Sequence, residues 1–140
     1  MPLSYAQVLS VSAASGAPGD TISIEVSLNC PLRQAPAALK WNLIFPAQLF
    51  EIESGPVIGA AVKASGKSLS CTSAREYSYS CIVFGGRQRI QSGSMAVFHF
   101  KIKAGSREGS FSLPIEGVDA VTAQVTRLKV TTHDGHVEIR

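Results

Sequence analysis

The sequence predicts an all-β domain, a sandwich of two antiparallel sheets of the immunoglobulin or jelly-roll kind. Three observations lead there. Short alternations of apolar and polar residues recur along the chain, turns containing Gly, Pro and Ser separate them, and no window of a dozen residues shows the 3.6-residue period of an amphipathic helix. The length of 140 residues suits one domain spanning 1–140, and it is enough chain to bury a continuous core between two sheets.

A first strand is expected around Gln7 to Ala13. It is followed by the turn Gly16-Ala17-Pro18-Gly19-Asp20, in which proline presets φ and glycine accepts a positive one. Thr21 to Leu28 then alternates without a fault, with Ile22, Ile24, Val26 and Leu28 on one face and Thr21, Ser23, Glu25 and Ser27 on the other. Leu39 to Phe45 alternates again. Trp41, Leu43 and Phe45 form the expected core side, Lys40, Asn42 and Ile44 form the outer side, and Pro46 stops the pairing.

From Phe50 to Gly66 the pattern is looser, with one helix-tolerant stretch, Gly59 to Ser65, lying between glycines. Strands return at Ser68 to Thr72 and Tyr77 to Phe84, before a turn or bulge at Gly85-Gly86. Met95 to Lys103 is the most regular strand. It sends Ala96, Phe98, Phe100 and Ile102 inward and Val97, His99, Lys101 and Lys103 outward. Further strands are expected at Ser110 to Ile115, Ala123 to Thr131 and His136 to Ile139, with Asp134-Gly135 as the turn before the last one.

A formal net charge of +3, with Lys and Arg scattered rather than striped, argues against nucleic acid as a partner. No run approaches the roughly 20 consecutive apolar residues that cross a bilayer, so no direct membrane insertion is expected. The opening MPLSYAQVL lacks a basic region followed by an apolar one, so no export signal is expected within it. Such a start suits either a cytosolic protein or a domain cut from a longer exported chain.

The cysteines favour the exported chain, and with it an extracellular or cell-surface setting. Cys71 and Cys81 flank TSAREYSYS, a stretch that can turn a hairpin and bring them within disulfide reach; the alternative is two free buried thiols. A closed loop this short is worth about 2–3 kcal/mol, and only where oxidation persists. Cys30 is left over as a small buried residue.

Chemistry finds little purchase in this sequence. His133, Asp134 and His136 lie close together, but no thiolate or further His completes a tetrahedral set, and they read as a polar turn; no metal and no cofactor is expected. Glu51 and Glu53 would point the same way from a flat surface without a cleft for a sugar ring. His99 lies on an open strand face, no Gly-x-Ser-x-Gly elbow is present, and Gly85-Gly86 lacks the Lys-Ser/Thr of a phosphate loop. No catalytic residue is assigned and the domain is expected not to be an enzyme.

The order of elements resembles a cohesin domain. The turn Pro18-Gly19-Asp20 leads into TISIEVSL, then WNLIFPAQLFEI, a Gly-rich centre, SCIVFGG, GSMAVFHFKIKAG and a closing DGHVEI. The resemblance covers nearly the whole chain and implies a jelly-roll topology of about nine strands. It also implies a non-catalytic module that binds a dockerin-like protein partner through one flat sheet face in an assembly outside the cell, as in a cellulosome.

On that face the matching outward positions are Lys40, Asn42 and Ile44, extended by Ser70 on an adjacent strand. Where many cohesins carry an Asn and an Asp that bond the dockerin helix, this chain has Ala38 and Lys40, which reverses the local charge. Two rival expectations remain. One is a carbohydrate-binding module that takes polysaccharide on a row of rings begun by Tyr77 and Tyr79, with Trp41 falling on the core side. The other is a ligand-free structural spacer.

Overall fold

A computed structural model describes residues 7–31, 34–75 and 77–140. Among them the chain forms β1 (Gln7–Val11), β2 (Ala13–Gly16), β3 (Thr21–Asn29), β4 (Ala38–Ile44), β5 (Phe50–Ile58), α1 (Ala60–Ala64), β6 (Ser68–Arg75), β7 (Ser78–Phe84), β8 (Gly93–Ile102), β9 (Gly109–Leu113), β10 (Ile115–Val121), β11 (Arg127–Leu128), β12 (Val130–His133) and β13 (Gly135–Ile139).

One sheet runs β12-β1-β3-β8-β5 and the other β11-β10-β4-β7-β6, with a smaller sheet β2-β13-β9 at one end. The first and last strands pair in parallel, β1 with β12 and β2 with β13. The remaining pairings are antiparallel. This is the jelly-roll sandwich, with more strand segments than the nine that the resemblance implies.

The extra segments have local causes. At Ser12 the first strand leaves the large sheet: the Ser12 backbone N–H bonds the Glu25 carbonyl, and its hydroxyl accepts from the Glu25 N–H at 2.8 Å. Asp134 divides the C-terminal strand in the same way. Asp134-Gly135 is therefore a crossing between sheets and not a hairpin turn, and a Cβ on Gly135 would stand 2.5 Å from Val11 Cγ1.

The loose region from Phe50 is a strand after all. β5 is an edge strand whose register shifts twice between Ile52 and Val57, so alternation is lost, and Pro56 is tolerated because an edge needs no donor on its open side. The helix-tolerant stretch is the short helix α1, which buries Ala61 and Val62. The expected strand at Ala123 to Thr131 is displaced: β10 precedes it, a turn occupies 122–126, and only β11 and part of β12 fall within it.

The two faithful alternations meet in the middle. Trp41, Phe45, Phe98 and Phe100 are all buried between the sheets, as the pattern requires, with Phe45 and Phe100 ring centroids 4.8 Å apart. Burial of these inner faces is the driving term for the fold. Because side-chain direction has period two, it also fixes which residues must face out.

Candidate functional site

The outer face of the β11-β10-β4-β7-β6 sheet gathers the residues expected to meet a partner. With Leu39, Trp41 and Leu43 inward, Ala38, Lys40, Asn42 and Ile44 stand outward. Lys40 lies opposite Ile82 on one side and Asp119 on the other, and Ser70 lies beyond Ile82, so these four residues form one row across the sheet. The next row holds Thr72, Ser80, Asn42 and Glu116. Lys40 and Ser70 are exposed, whereas Asn42 and Ile44 are half-buried.

Asn42 is held in place. Its Oδ1 accepts a 2.5 Å hydrogen bond from the Ser80 hydroxyl. On the other side, Gly117 sits in a bulge of β10 at φ 58, and a Cβ there would come within 2.6 Å of Asn42 Nδ2. The bulge also explains why the sequence did not announce β10: its extra residues break the alternation between Glu116 and Asp119.

Two side chains that pattern reading missed are the most conspicuous on this face. Ile82 is 39% exposed and Phe84 41% exposed. They were hidden because SCIVFGG is apolar on both sides. The signal that finds them is the disulfide: once Cys81 is bonded inward, Tyr79 and Val83 share its side and Ile82 and Phe84 must stand outward. Phe84 lies opposite Ser68, and in the same end row Ala38 faces Val121, which in turn faces Arg127. Asp119 pairs with Arg127 at 3.6 Å, with the arginine 81% exposed, a contact worth little in water.

The disulfide links directly opposed residues of β6 and β7, Cys71 and Cys81, with Cα atoms 4.1 Å apart, so it ties the edge strand to the sheet that carries this face. Glu76 lies outside the described residues. Cys30 is a free, half-buried thiol whose backbone N–H bonds Ser92 Oγ at 3.0 Å.

The ring platform does not exist. Tyr79 is buried and packs against Phe98 at 5.1 Å and Phe45 at 6.0 Å, and burial pushes its phenol pKa up. Tyr77 is exposed, but it sits in the turn before β7 begins, so strand alternation does not extend to it. Its hydroxyl accepts a 2.8 Å hydrogen bond from Arg75 Nη1, and its ring lines a shallow apolar hollow with Ile44, Pro46, Phe111 and Pro114. Trp41 is fully buried.

Elsewhere the polar groups singled out by the sequence lie apart from one another. Asp134 Oδ1 accepts the Ile115 N–H at 3.1 Å. His99 stands on the outer face of the opposite sheet, 3.1 Å from Ser23 Oγ. Glu51 and Glu53 are exposed on edge strand β5, and the register shift falls at Glu53. His133 pairs with Ser10 on β12, whereas His136 lies on β13 beside Ala13 and Ser112. Among the described residues no three His, Cys, Asp or Glu side chains converge on one point, and no helix is long and apolar enough to cross a membrane.

No protein-family model matches the sequence, and no curated protein matches it. Solved structures do. The chain is similar to the sixth cohesin of Acetivibrio cellulolyticus scaffoldin B, solved in complex with a mutant Cel5 dockerin, at a TM-score of 0.85 and 16% identity over 96% of this chain and 99% of that one. It is similar to the cohesin of the Coh-OlpA–Doc918 type I complex from Clostridium thermocellum, at 0.85 and 14% over the same shares. A non-cellulosomal cohesin from the hyperthermophilic archaeon Archaeoglobus fulgidus matches at 0.82 and 15%, covering 96% of this chain and 91% of that one. The fold is cohesin-like.

Proposed function

We propose that this domain is a non-catalytic protein-interaction module that takes a dockerin-like partner on the outer face of the β11-β10-β4-β7-β6 sheet, as part of an extracellular or cell-surface assembly. The observation that carries the reading is the exposure of Ile82 and Phe84 beside Lys40 on that flat face: neighbouring apolar side chains that the fold does not bury are well explained by a contact. Two of the similar cohesins were solved in dockerin complexes, which supports the class of partner. The Cys71–Cys81 bond supports an oxidising compartment. The polysaccharide alternative loses its platform with the burial of Tyr79.

The test is capture from the secreted proteins of the source organism by the wild-type domain, by Ile82→Asp/Phe84→Asp and by Ser23→Asp on the opposite sheet. A dockerin-bearing protein held by wild type and Ser23→Asp but lost by the double variant supports the reading. Equal capture by all three, or retention on polysaccharide with no protein captured, contradicts it.

A further inference from the structure

The apolar pair on this face has a cation beside it on β4, while the carboxylates of the face, Asp119 and Glu116, lie beyond β4 on β10. Lys40 is exposed directly opposite Ile82, and its other neighbour, Asp119, reaches away from it to Arg127. Lys40 therefore has no carboxylate within ion-pair reach among the described residues. Just past Phe84 the chain enters Gly85-Gly86-Arg87, where Arg87 is exposed. That turn is anchored by the buried Lys67, which donates its amine to the Gly85 carbonyl at 2.5 Å. A low-dielectric wall beneath exposed cations strengthens the field they project.

The spacing adds a shape. Outward residues two apart on a strand stand about 6.8 Å from each other, close to the roughly 6 Å between residues four apart on a helix. A helix laid along β7 can set one apolar side chain on Ile82 and another on Phe84, and a residue on its flank then falls over Lys40.

We infer that the partner surface is an amphipathic helix carrying an apolar pair flanked by carboxylates. This rests on the reading of the face proposed above. The charges set partner choice and encounter rate, and the apolar pair supplies the buried centre.

The probe is a yeast-displayed library of helical hairpins randomised on one face, sorted for binding to the wild-type domain and against Ile82→Asp/Phe84→Asp, with every variant first shown to melt like the parent. Face-dependent binders should be enriched in Asp and Glu beside the apolar positions. They should weaken about tenfold or more with Lys40→Asp or with a large increase in salt, and recover with Lys40→Asp when their own acid is changed to Lys. Face-dependent binders that are neutral or basic and indifferent to Lys40→Asp would overturn the inferred polarity and leave the face intact. A library that yields binders only elsewhere on the domain would overturn the face itself, and this inference with it.

Discussion

The two sheets of the sandwich turn similar backs to each other and different faces to solvent. On the β12-β1-β3-β8-β5 sheet the central outward residues are polar or paired: Thr21 faces Lys101, Glu25 faces Val97, and Ser23 meets His99 at 3.1 Å. Its exposed apolar side chains, Ile52, Val57 and Ile58, lie on edge strand β5, where bulges and Pro56 break any flat surface. On the other sheet Ile82 and Phe84 stand on interior strand β7, between β4 and β6. The core dictates inward residues on both sheets and is silent about outward ones, so a difference confined to the outside points to function and not to folding.

The largest effect belongs to the layer that both faces share. Trp41→Ala empties the core directly behind the proposed binding face and should cost about 3–5 kcal/mol in urea unfolding. If the variant unfolds like the parent, Trp41 points outward, the parity of β4 is reversed and the comparison collapses. Removing the cross-strand bond with Cys71→Ala/Cys81→Ala should cost about 2–3 kcal/mol, against less than about 1 kcal/mol for Cys30→Ala. Equal losses would mean that the edge of this face is not held by the disulfide.

Tyr79 sharpens the same point through pH. Burial raises its pKa in the folded state, so the unfolded chain loses its proton first as pH climbs past the ordinary 10.0. Its contribution is complete below that pH and is lost as pH rises through the folded value. Tyr79→Phe should remove this part of the alkaline loss of stability, and an unchanged alkaline profile would place the phenol in water. The smallest effect is expected outside: Phe84→Ser should change stability by no more than about 0.5 kcal/mol, because the ring stands on the outer face, outside the buried core. A large loss there would make Phe84 a packing residue.

What the sequence revealed follows the same division. Strands buried on one side and wet on the other, β3, β4 and β8, announce themselves, and Trp41, Phe45, Phe98 and Phe100 were legible as core from parity alone. Strands whose pairing slips were not. β5 and β10 carry bulges that erase the period, and the breaks at Ser12 and Asp134 are crossings between sheets that local pattern does not encode. At the candidate site the alternation of β4 makes Lys40, Asn42 and Ile44 legible as outward residues, whereas Ile82 and Phe84 are hidden in a stretch that is apolar on both sides. Tyr79 was misread because its partner Tyr77 belongs to a turn.

The central claim is that one outer face, and not the other, carries the partner. Hydroxyl-radical footprinting of the domain, alone and bound to its captured secreted partner, reads both faces in one experiment. The account predicts that Ile82 and Phe84 lose reactivity on binding while Val97 and His99 keep theirs. Protection of Val97 and His99 with Ile82 and Phe84 unchanged would contradict it.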